Sequence, residues 1–126
     1  MSRSPQRLPD YLGHISQAIE RIQRYTDQMS EIAFLQSEMA QDAVIRNLEI
    51  IGEASRNIAS VDPDFVSANP DVPLNFAYEM RNALSHGYFQ VDLSVVWKMI
   101  ERDLPTLKQQ IHALLAGISN ATDIGI

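Results

Sequence analysis

The chain contains no cysteine, which excludes disulfides, thiolate metal sites and cysteine nucleophiles. Its five glycines are scattered, so there is no glycine-rich loop to cradle a phosphate and no serine-hydrolase elbow. No apolar stretch approaches the ~18 residues that a membrane helix needs. The longest uncharged run, Gln109 to Thr122, is interrupted by Gln, His, Ser and Asn. The opening Met1-Ser2-Arg3-Ser4-Pro5-Gln6-Arg7 lacks the apolar centre of a signal peptide, and the expectation is a soluble, cytoplasmic protein with no membrane partner. Positive charge is also scarce: 10 Lys and Arg stand against 16 Asp and Glu, a formal charge of −6. That counts against a general basic surface for coating nucleic acid, and leaves only local use of arginine.

What is present is helical periodicity. The 126 residues suit one domain, expected to span 1–126 with frayed ends at 1–8 and 119–126. Tyr11, Ile15, Ile19, Ile22, Tyr25 and Met29 recur every three or four residues after the start signal Pro9-Asp10, although Gly13 weakens the first turn. A second stripe of Ala40, Val44, Leu48, Ile51, Ala54 and Ile58 predicts one long helix from about Ser30 to Ser60. Its charges, including Asp42, Arg46, Glu49 and Glu53, read as a solvated face. A Pro/Asp/Asn-rich connector follows, with room for a helical turn around Phe65.

A third helix is predicted from Leu74 to His86, with Gly87 as its stop. Asp92 reads as the N-cap of a last helix whose stripe runs Leu93, Val96, Trp97, Ile100, Leu104, Leu107, Ile111, Leu114 and Ile118. Pro105 lies inside it and predicts a kink or break, because it removes the bond to the Glu101 carbonyl. Nothing reads as a strand pair or an internal repeat. The expected architecture is all-α, an antiparallel bundle of four to five helices.

The run Arg81-Asn82-Ala83-Leu84-Ser85-His86-Gly87-Tyr88-Phe89 gathers a permanent cation, an imidazole and a phenol. Arginine suits phosphate oxygens and imidazole can exchange a proton near neutral pH, a pairing fitted to phosphoester chemistry. The same residues have a plain structural explanation. A His next to Gly at a helix end is a favourable cation at the negative pole of the helix dipole, and Tyr88 could be an aromatic packed on the next helix.

With Met80 at the core and ~100° per residue, Asn82 and His86 are i,i+4 neighbours, and the amide could orient the ring. Arg81 and His86 diverge by about 140°, so one helix could hardly close both on a single phosphate. A second copy across a two-fold axis would bring two of each into one groove.

At these residues the chain resembles the HepT-type toxins of the HEPN superfamily. Their mark is Arg, a polar residue, three further residues, His, one residue and Tyr, here Arg81-Asn82, His86 and Tyr88. The continuation Phe89-Gln90-Val91-Asp92 and the Gly52-Glu53-Ala54 of the long second helix share the likeness, which covers most of the chain. The resemblance implies a HEPN-like bundle that acts as a metal-independent endoribonuclease toxin, without a cofactor, through a composite site in a homodimer. Arg81 would hold the scissile phosphate, His86 would transfer protons, and Asn82 would support them. It also implies a nucleotidyltransferase antitoxin as partner, silencing the RNA-cutting site by adenylylation of Tyr88.

Two rivals stand beside it. One is a catalytically inactive helical module for dimerisation or partner binding. The other, a bundle holding a metal, is disfavoured because His14, His86 and His112 lie far apart and no Glu-x-x-His pair occurs.

Overall fold

The computed structural model describes residues 7–75, 79–80 and 91–124, with side chains up to residue 118. Among them are α1 (Arg7–Tyr25), α2 (Glu31–Leu35), α3 (Glu38–Val61), α4 (Pro63–Ala68), α5 (Leu93–Lys98) and α6 (Leu104–Ile124). Residues 74–75 and 79–80 are also helical, and no strand occurs among the described residues. The fold is the expected all-α bundle of HEPN type.

The centre is α1 against α3, with α6 closing on α1. From α1, Leu12, Ile15, Ile19 and Ile22 are fully buried and meet Val44, Leu48, Ile51 and Ile58 of α3. Burying each such side chain is worth about 1.5–3 kcal/mol, so this ridge holds the two longest early helices together. Two buried hydroxyls are satisfied within their own helical turn. Thr26 Oγ1 donates to the Ile22 carbonyl and Ser55 Oγ to the Ile51 carbonyl, each at 2.8 Å.

The long second helix expected from Ser30 to Ser60 is two helices. α2 ends at Leu35, and Ser37, in extended conformation (φ −114°, ψ 98°), starts α3 with its hydroxyl accepting from Ala40 N. Ser30 caps α2 through Ala33 N in the same way. Serine at both N-caps competes with helix continuation, because its oxygen satisfies backbone donors that begin a new helix. The entry to α2 is turned by Gln28, whose φ of 63° is the left-handed conformation that ends many helices. The break lets Phe34 bury completely and lie against Trp97 of α5, with ring centroids 5.4 Å apart.

Pro105 does not break the last helix. Met99–Asp103 forms a π turn between α5 and α6, in which Leu104 N bonds to the Met99 carbonyl. The wider turn relieves the clash of the proline ring with the preceding turn and accommodates the missing donor. The apolar stripe therefore stays in phase across it: Val96, Trp97, Ile100, Leu104, Leu107 and Ile111 are all buried.

Candidate functional site

Arg81, Asn82, His86 and Tyr88 lie outside the described residues, as does most of the helix predicted from Leu74 to His86. The structure does describe what precedes and follows them. On the entry side, Leu74 is buried and Met80 packs partly against the core. Met80 borders an apolar cavity of about 20 Å³ with Leu48 and Ile51 of α3 and Met99, Leu104 and Leu107 from the last helix. Met80 thus faces the core, as the helical wheel for the polar run requires. On the exit side, Val91 packs on the core and the Asp92 side chain accepts from Ser94 N (3.0 Å) and Val95 N (3.3 Å). The predicted N-cap is thus real, and it starts α5.

Beside the entry, Gln110 Nε2 donates to the Asp71 carbonyl at 2.9 Å, tying the connector to α6. A concavity of about 410 Å³ opens there, lined by Asp71, Pro73, Arg102, Asp103, Thr106 and Gln110. It shares Pro73 and Asp103 with the Met80 cavity.

The larger groove, about 500 Å³, is elsewhere, between α1 and α3, where His14 faces Arg46, Glu49, Glu53 and Asn57. Arg46, Glu49, Glu53 and Asn57 recur at three- and four-residue steps, the signal by which sequence could have grouped them. Tyr11 stands edge-on to His14, with centroids 6.2 Å apart, and its hydroxyl accepts from Arg7 at 3.4 Å. That contact raises the pKa of an already cationic Arg7. With two carboxylates against one arginine, the groove is a poor seat for a polyanion. The concavity beside Met80 has the same balance, Asp71 and Asp103 against Arg102, so neither recess by itself seats a polyanion.

The other histidine is structural. His112 Nε2 and Ser16 Oγ share a hydrogen bond of 2.9 Å that joins α6 to α1. Lys108 adds a second tie to α1, donating to Gln23 Oε1 at 3.2 Å and lying 3.8 Å from Glu20. Among the described residues no group of three His, Cys, Asp or Glu could hold a metal ion, and no helix is long and apolar enough to cross a membrane.

Comparison with known families decides the affiliation, because the model described as ribonuclease HepT-like matches residues 15–114 and so runs through the polar run and both of its flanks. The chain belongs to the HepT-like family. It is 44% identical over 105 residues to the "Probable ribonuclease HepT" of Thermococcus cleftensis, covering 83% of this chain and 93% of that protein. It is 42% identical over 105 residues to a Methanocaldococcus jannaschii protein named "Gamma-glutamylcyclotransferase and putative RNase", covering 83% of this chain but only 46% of that longer protein. A second protein of that organism, named "Putative RNase", is 36% identical over 102 residues, 81% of this chain and 91% of its own length. No solved structure gives a significant match.

Proposed function

We propose that this HepT-like chain is a metal-independent endoribonuclease toxin that works as a homodimer and is silenced by adenylylation. The observation that carries the reading is the family match across residues 15–114, with Arg81, Asn82, His86 and Tyr88 in the family's pattern inside it. Relatives named as ribonucleases support the same activity.

The reaction needs no external nucleophile. The RNA 2′-hydroxyl attacks its own phosphorus, the bond to the 5′-oxygen breaks, and the products are a 2′,3′-cyclic phosphate and a free 5′-hydroxyl. Two proton transfers and one developing negative charge must be served. His86 serves the protons, Arg81 neutralises the phosphate oxygens, and Asn82 orients the imidazole from one turn away. On an ideal helix continued from Met80, Arg81 and His86 would diverge by about 140°, and a second copy would complete the set.

Regulation follows from the same chemistry. A nucleotidyltransferase antitoxin would transfer adenylate from ATP to the Tyr88 hydroxyl and release pyrophosphate. The added phosphate would then occupy the place of the RNA phosphate and repel it.

Purified protein incubated with single-stranded RNA tests the activity. The native chain is expected to cut, while His86→Ala and Arg81→Ala fall by about a hundredfold or more at unchanged helicity. Undiminished cutting by His86→Ala would return the run to its structural explanation. For regulation, the readout is intact mass after co-expression with a neighbouring nucleotidyltransferase: adenylate-sized increments should map to Tyr88, and mapping elsewhere would remove that step.

A further inference from the structure

Five large hydrophobic side chains are exposed among the described residues, and four lie between residues 25 and 39, at the end of α1, on α2 and at the start of α3: Tyr25, Ile32, Leu35 and Met39, with Met39 83% and Ile32 68% exposed. The fifth, Val95, is on α5, the helix against which α2 packs. Ile32 and Leu35 share one face of α2, and Met39 lies in the first turn of α3, just past the break at Ser37. Single exposed apolar residues need no explanation, but four in one short stretch that covers α2 and its two joints point to an interaction surface.

The charge around it is one-sided. From residue 25 to residue 45 the chain has no Lys or Arg, and Asp27, Glu31, Glu38 and Asp42 all fall there. Asp27, Glu38 and Asp42 are exposed and Glu31 is half-buried. Cations stand at its margins: Arg24, 5.6 Å over the Tyr25 ring, Arg46, one turn after Asp42 on α3, and Lys98, one turn beyond Val95. An acidic rim repels RNA, so this corner is not an extension of a substrate path. A two-fold contact through it would place the same four carboxylates on both sides, where like charges oppose association.

We infer that the α2 corner is a docking surface for a protein partner whose apolar anchor side chains are ringed by lysines and arginines. Met39 and Ile32 supply the apolar contact, as protruding, fully wettable side chains that lose water on binding. Glu31, Glu38, Asp42 and Asp27 select the sign of the partner and speed its approach. Phe34 and Trp97 beneath them hold the platform rigid. The inference does not depend on the catalytic reading of Arg81 and His86.

The test uses the full chain and two labelled synthetic amphipathic helices. One has leucines on one face flanked by lysines; the other is identical with glutamates for lysines. Fluorescence anisotropy should show the lysine helix binding at least tenfold more tightly, and Ile32→Ser with Met39→Ser should weaken it by roughly tenfold or more. Glu31→Lys with Glu38→Lys should reverse the preference. These residues are surface-exposed or half-buried, and far-UV circular dichroism checks that each variant keeps the fold. Equal binding of both helices, no binding of the lysine helix, or binding undiminished in the variants overturns the inference. So does a concentration-dependent rise in native mass that Ile32→Ser with Met39→Ser abolishes, since the occupant would then be a second copy.

Discussion

Phe34→Ala should be costly although it lies in a helix of only five residues. A helix that short has no stability of its own in water, so α2 is held by its caps, by Gln41 Nε2 donating to the Phe34 carbonyl at 3.0 Å, and by the Phe34 side chain. The ring is wholly buried and meets Trp97, which is itself only 5% exposed. Truncating a buried Phe costs about 3–5 kcal/mol when the site cannot collapse. Because α2 can sink partway into the space, the lower end applies, about 3 kcal/mol, of which the aromatic pair accounts for about 1. In a domain of this size that lowers the melting temperature by on the order of 10 °C. Phe34→Leu keeps most of the apolar volume and should lose only about 1 kcal/mol. Trp97 is the sole tryptophan, so its emission reports this contact directly and should shift to the red in Phe34→Ala. Chemical denaturation followed in parallel by emission and circular dichroism gives the free energy. A loss below about 1 kcal/mol with unshifted emission would refute the claim that Phe34 closes the core beneath α2.

Gly13 lies inside α1 and a Cβ built there meets nothing within 4 Å, so Gly13→Ala should raise stability by about 0.5–1 kcal/mol, measured by denaturant titration. Asp92→Ala removes the cap that receives Ser94 N and Val95 N and should cost about 1 kcal/mol, whereas Asp92→Asn should retain most of it. Ribonuclease activity should survive excess chelator, since the proposed chemistry uses only side chains; strict dependence on an added divalent ion would contradict it.

Much of the fold was legible because its signals are periodic. The stripe from Leu93 to Ile111 and the α1–α3 ridge are runs of apolar residues at helical spacing, and Asp92 is a local cap whose geometry depends on its next three residues. What escaped depends on competition between local and tertiary terms. The Ser30–Ser60 segment has uninterrupted helical character in its composition, yet Ser37 turns its hydroxyl to Ala40 N and the chain restarts, because the new direction buries Phe34 against Trp97. Pro105 signalled a disturbance, but composition could not tell that a π turn at Met99–Asp103 would absorb it and keep Leu104 and Leu107 in the core. The polar run was visible from residue types and spacing alone. Under the proposed reading its partners across a groove come from a second chain, which no spacing within one chain can specify. The grouping of His14 with Arg46, Glu49 and Asn57 was missed for a related reason: it joins two helices through packing, and each half looked like a solvated face.

The central claim is that the RNA 2′-hydroxyl is the nucleophile and that His86 moves its proton. Its most direct measurement is cleavage, in excess chelator, of an end-labelled RNA and of the same RNA carrying a single 2′-deoxy sugar at the mapped cut. The native chain should leave a 2′,3′-cyclic phosphate on the first and spare the second at that position, and His86→Ala should cut neither. Cutting at the deoxy position, or a product ending in a simple 3′-hydroxyl, would contradict it.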